Sequence, residues 1–336
     1  MDEPRHVLEA PSHADPYAWY ARLRVSRPLF FDEGLGLWVA SGPWLVEQAL
    51  HHPQLRVRPP AEPVPPALQG RAAGEVFAQL VRMNDGDFHA RHRPGVEQAI
   101  VRWEESAVQR AAEESASDLV TRCDANALLS AIPVQAMARM LGVPRDALDA
   151  TVAWVHAFTR GIAAGASAGA LQEADAATVA LMAQGEREGL PHVRAANRIA
   201  LMQQALDATA GLLGNAIRAA LDGAGGDAAE IVAHVARTDP AIHNTRRFAA
   251  GDLELGGYAI AAGQGLVLVL VPEHPFGRGA HACPGDRIAL QLAAAALRTL
   301  QSHAPLSRIF GRANGYRPLP NARVPVFTPG ATPWSP

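Results

Sequence analysis

One cysteine in this 336-residue sequence stands where a thiol can hold a metal. Cys283 lies in the run Phe276-Gly277-Arg278-Gly279-Ala280-His281-Ala282-Cys283-Pro284-Gly285. The glycines let the chain turn tightly enough to bring backbone N–H groups against a sulfur. A helical pattern opens just after the cysteine, so the positive end of a helix dipole would stabilise an anionic thiolate. The bland reading is a small residue in a glycine-rich turn. The other cysteine, Cys123, sits in Thr121-Arg122-Cys123-Asp124 with no such setting and reads as inert.

Three further groups carry chemistry by type and spacing. His89 and Arg93 are four apart, hence on one helix face, and two fixed cations suit a pair of carboxylates. Arg247 falls in Thr245-Arg246-Arg247-Phe248, ahead of a strand-and-turn segment through Gly256-Gly257. Asp207 and Thr209, with Ala208 between them, lie in the longest helical pattern of the chain. Taken singly these are weak signals: a solvated helix face, an arginine on a strand edge, a helix acid in an ion pair.

Taken with the cysteine run, they resemble the cytochrome P450 superfamily, whose heme loop reads Phe-Gly-x-Gly-x-His-x-Cys-x-Gly. The resemblance implies that Cys283 ligates the iron of heme b (iron protoporphyrin IX), with Phe276 and Gly285 shaping the loop. It implies that His89, Arg93, Arg247 and His281 hold the heme propionates. Met83-Asn84-Asp85 looks like the family's lead-in to the His-x-x-x-Arg pair. Asp207 matches the acid of the family's acid–alcohol pair, Ala208 stands where its first threonine is expected, and Thr209 follows one place later. In the same register His243 and Gln203 or Gln204 face the space above iron, with Phe77, Leu80 and Leu206 as apolar walls.

The chain departs from that pattern in linked places. The helix expected after the long one is missing, and the sequence passes almost at once from Val271 to Phe276, without the family's meander. The Glu-x-x-Arg motif should fall at 234–237, where His234 replaces the glutamate and Arg237 is kept. A glutamate stripped of its meander partner would be a costly buried charge, so its loss is coherent with the deletion. These missing parts border the face where redox proteins usually dock.

Positioning these groups takes a mainly helical chain. Helical patterns are expected at 14–24, 43–50, 74–82, 87–119, 127–141, 145–163, 171–188, 191–222 and 284–302, and Pro94 should kink the fourth. Phe30 to Ala40 reads as a hairpin turning at Glu33-Gly34. Asp252–Leu255 and Leu266–Val271 read as short strands, and residues 58–70, with five prolines, as an irregular loop. The expected fold class is mainly α with a small β portion, a trimmed P450 fold in one heme-thiolate domain over 1–336.

Composition narrows the function. Apolar residues make up 49% and charged residues 19%, a globular balance. The net charge of -3 does not suggest a nucleic-acid partner. All 30 cationic Lys and Arg positions are arginine, which excludes Schiff-base lysine chemistry and a Walker-type phosphate loop. No targeting segment or membrane span is visible, so a cytoplasmic location is expected. The default activity implied is monooxygenation of a small organic substrate, with a ferredoxin-type electron donor as the partner the resemblance admits. A heme-thiolate peroxygenase, dehydratase or isomerase is the alternative that Ala208 and the trimmed face favour. A non-enzymatic heme sensor or ligand carrier is the third.

Overall fold

The computed structural model describes residues 3–328. Its helices are α1 (Tyr17–Ser26), α2 (Pro43–His51), α3 (Ala72–Ala78), α4 (Gly86–Val101), α5 (Glu105–Leu119), α6 (Ala125–Met140), α7 (Leu148–Gly161), α8 (Ala168–Arg187), α9 (His192–Leu221), α10 (Ala228–Thr238), α11 (Asp286–His303) and α12 (Leu306–Phe310). The strands are β1 (Leu29–Asp32), β2 (Leu37–Ala40), β3 (Leu55–Arg56), β4 (Asn244–Ala249), β5 (Leu253–Leu255), β6 (Tyr258–Ile260), β7 (Gly265–Val269), β8 (Arg312–Tyr316) and β9 (Pro325–Thr328). The fold is mainly α with a small β portion, as the sequence implied. No helix among the described residues is long and apolar enough to cross a membrane.

The chain forms two compact units from interleaved segments: 1–61, 211–286 and 304–336 in the first, 62–210 and 287–303 in the second. The first unit holds every strand found among the described residues. Its main sheet has the order β1-β2-β7-β4-β3, with β2 and β7 parallel and the other pairs antiparallel. The expected hairpin is present, with Leu29 opposite Ala40 and Asp32 opposite Leu37. The apolar run at 266–271 explains the centre of the sheet. Leu266, Leu268 and Leu270 enter one core cluster with α2, while Val267, Val269 and Val271 enter another with Tyr20 and Val39. Alternation along a strand buried on both faces requires that pattern.

In the same unit α10 opens on a capping box: Asp227 accepts from the Ala229 and Glu230 backbones while Glu230 reaches back to the Asp227 amide. Only the turn at 222–227 separates α9 from α10, and only six residues, 270–275, separate β7 from Phe276, which leaves no room there for another helix or a long meander. His234 and Arg237 both lie on the exposed side of α10. No buried charge stands at either position, which fits the loss of the glutamate.

The second unit is helical. α7 packs on α8 and α6, and α5 on α6. Two helices are capped by side chains, α6 by Asp124 and α8 by Ser167. The single helix expected over 87–119 is two. The Trp103 amide bonds back to the Ile100 carbonyl, and Glu104 is extended at the N-cap of α5, so the backbone leaves the helix between them. Pro94 lies inside α4, which runs on through it at the loss of one hydrogen bond to the Ala90 carbonyl. The short helix α12 has no counterpart among the expected helical patterns, being too brief for periodicity to show.

Candidate active site

The cysteine loop belongs to the first unit. It leaves β7 through His274, whose amide bonds to the Leu270 carbonyl, and turns at Gly277, whose amide bonds to the His274 carbonyl at 2.8 Å. The Cys283 amide closes the loop on the Phe276 carbonyl at 2.8 Å. Gly277 and Gly279 have φ of 69° and 70°, the left-handed region that side chains avoid. Gly279 is required twice over, because a Cβ there would lie 2.7 Å from the Leu50 carbonyl oxygen at the end of α2. Cys283 is exposed, and α11 begins three residues later at Asp286. Open space surrounds the Cβ direction of Gly285.

Arg247 is on β4, opposite Leu266 of β7, and 5% exposed. Its Nη1 donates to Thr245 Oγ1 at 3.2 Å and to the Arg246 carbonyl at 2.8 Å, which fixes the guanidinium beside its own strand. Phe276 and His281 are half-buried in the loop. The donor set of this unit fits a heme: an accessible thiol on a preformed loop, ahead of a helix N-terminus, with an arginine and a histidine to meet carboxylates.

In the second unit, His89 is 8% exposed on α4. Arg93, one turn on, donates from Nε to Glu97 at 2.7 Å. On α9, Asp207 and Ala208 are half-buried, whereas Thr209 is 4% exposed. Two helix positions separate Asp207 from Thr209, about 200° around the axis, so the two side chains leave on opposite faces. Thr209, which follows the expected threonine position by one place, thus carries its hydroxyl on the buried face of α9. Gln203 and Gln204 also diverge. Gln204 is exposed and turns its amide back to the Ala200 carbonyl, while Gln203 accepts from Arg82 Nη2 at 2.8 Å. Phe77, Leu80 and Leu206 are all buried.

His243, expected to face the space above iron, is not beside open space, and that expectation is corrected. It is fully buried in the first unit, its Nδ1 3.1 Å from the Tyr20 hydroxyl and its Nε2 3.4 Å from that of Tyr17. Tyr17 donates to Asp239, which also accepts from Arg323 Nε and Arg218 Nη2, each at 2.7 Å. Arg323 is 1% exposed and also donates to the carbonyls of Pro11, His13 and Ala14. Burial, reinforced by the Arg323 charge and only partly opposed by Asp239, pushes the His243 imidazole down to about 3. Burial works to raise Asp239, but Arg323, Tyr17 and Arg218 outweigh it and hold the carboxyl below its ordinary value. This knot ties the N-terminal segment to β4 and the C-terminal tail. Nothing local in the sequence announces it, because its members are up to 312 positions apart.

A separate cavity of about 400 Å³ lies within the second unit, between α4 and the first turns of α9. Arg198 lines it, tied to Glu188 and to the Leu141 carbonyl.

No family model matches the chain, and no curated protein does. Solved structures do. P450BioI in complex with an acyl carrier protein ligated to hexadec-9Z-enoic acid is similar at TM-score 0.76 and 20% identity, over 92% of this chain and 96% of that one. CalO2 is similar at TM-score 0.73 and 20% identity, over 96% and 99%. CYP109E1 from Bacillus megaterium is similar at TM-score 0.67 and 20% identity, over 85% and 90%. The chain has the cytochrome P450 fold.

Proposed function

We propose that this protein is a heme-thiolate oxidoreductase, a P450-type monooxygenase acting on a small organic molecule, as one domain over 1–336. The observation that carries the reading is Cys283: exposed, on a loop that closes at the Phe276 carbonyl, directly ahead of α11. When bound, a heme on a cysteine thiolate supplies iron chemistry that favours O–O cleavage. The loop amides and the α11 N-terminus stabilise the Cys283 thiolate. Arg247 and His281, with His89 and Arg93, pair with the two propionates. Asp207 holds and passes a proton at its carboxylate, and Phe77, Leu80 and Leu206 exclude water. Thr209 has no part in this reading because it leaves α9 on a buried face opposite Asp207, and His243 has none because Tyr17 and Tyr20 hold it in another network.

A second reading, peroxide-driven turnover or rearrangement of an N–O or O–O bond, is favoured by Ala208. It brings no hydroxyl to the half-open face of α9 that Asp207 occupies. The test uses heme-loaded protein and labelled dioxygen with NADH and a ferredoxin pair, against unlabelled peroxide alone. Label in the product, coupled to NADH consumption, supports monooxygenation and a ferredoxin-type donor. Product from peroxide only moves the enzyme to the second reading. No product from either, with gas binding retained, refutes both and leaves a sensor or carrier.

A further inference from the structure

Arg82 is a cation without a counter-ion in the second unit. It sits in a 3-10 turn, Val81–Met83, just before α4, and the turn is held tightly. Asn197 of α9 accepts from the Val81 amide at 2.9 Å and donates to the Gln79 carbonyl at 2.9 Å. Asn84 donates to the carbonyls of Ala78 and Leu80, closing the turn from the other side. Arg82 is thereby carried onto α9, where Nη2 meets the neutral Gln203 amide. Its Nε is buried and makes no hydrogen bond, and no carboxylate among the described residues pairs with it. Desolvation is the cause of its lowered pKa, about 10, with no acid raising it. A partly buried charge left without a partner costs free energy that a folded chain ordinarily removes by pairing.

Gln203 lies one helical turn before Asp207, on the same face of α9. With its Oε1 occupied by Arg82, its Nε2 hydrogens remain as donors. Between them, one guanidinium and one amide carry enough N–H donors for the two oxygens of a carboxylate. A single positive charge matches a monoanion rather than a phosphate.

We propose that Arg82 and Gln203 form the anchor for the carboxylate of an organic-acid substrate, holding its far end within a helical turn of Asp207. This deepens the monooxygenase reading and rests on it only for the role of Asp207.

The test is calorimetric titration of the heme-loaded protein with octanoate and phenylacetate, each against its primary amide. Wild type should prefer each acid by on the order of 10- to 100-fold, the range of a hydrogen bond to a charged group. Arg82→Gln should abolish that preference and Arg82→Lys should keep part of it. Without ligand, Arg82→Met should raise the thermal midpoint, because it removes an unpaired charge and keeps the volume. Equal affinity for acid and amide, failure of both acids to bind, a preference that survives Arg82→Gln, or a lowered midpoint in Arg82→Met would each overturn the inference. The heme reading is judged separately by the thiolate signature of the reduced carbonyl complex, which none of these variants touches.

Discussion

His243 makes the protein acid-sensitive in a defined window. Its folded pKa is about 3 and its reference value 6.5, so between them the unfolded chain binds the extra proton. Stability must then rise with pH across that window: the contribution is intact above the reference value and is lost as pH falls toward the folded one. Between about pH 7.5 and about pH 5 the linkage for this one group is worth about 2 kcal/mol. Asp239 does not confuse the window. Its depressed pKa gives stability that is present above its reference value of 3.8 and lost below it. The perturbation is His243→Phe, which keeps the ring contacts with Tyr17 and Tyr20 and removes the titration. Urea unfolding at both pH values reads it. Wild type should lose about 2 kcal/mol more than the variant on acidification, with equal denaturant slopes. Parallel losses in the two proteins would refute the argument that burial and Arg323 keep this imidazole neutral.

The other expectations are structural and cofactor-directed. Arg323→Met should destabilise by about 3–5 kcal/mol, because it removes one of two cations from a buried Asp239 and three carbonyl contacts from the N-terminal segment; thermal unfolding checks it. Gly279→Ala should cost about 2 kcal/mol or more, from the left-handed backbone and the contact with the Leu50 carbonyl, and should weaken heme retention measured by gel filtration. Arg93→Ala with Arg247→Ala should lower heme affinity by roughly 1.5–3 kcal/mol for each lost charged hydrogen bond, read by transfer of heme to an acceptor protein.

The cysteine loop was legible because it is local: glycines, turn and helix start all fall between Phe276 and Asp286. The strand at 266–271 was legible for the same reason, its alternating Leu and Val filling two cores. Thr209 was placed by motif register alone, and register does not show that packing buries its side of α9. His243 was misread because its partners Tyr17 and Tyr20 are more than 220 positions away, and only the folded sheet brings them in. Arg82 went unnoticed for a like reason: Gln203 is 121 positions on, and an arginine between Val81 and Met83 looks like any surface residue.

The claim at the centre of this account is that Cys283 holds heme iron as a thiolate. Purified protein is loaded with heme, reduced under carbon monoxide, and its absorbance compared with that of Cys283→Ser. The account predicts one heme per chain, the red-shifted thiolate band in wild type, and loss of that band in the variant. Survival of the band in Cys283→Ser, or wild type that takes up no heme, would contradict it.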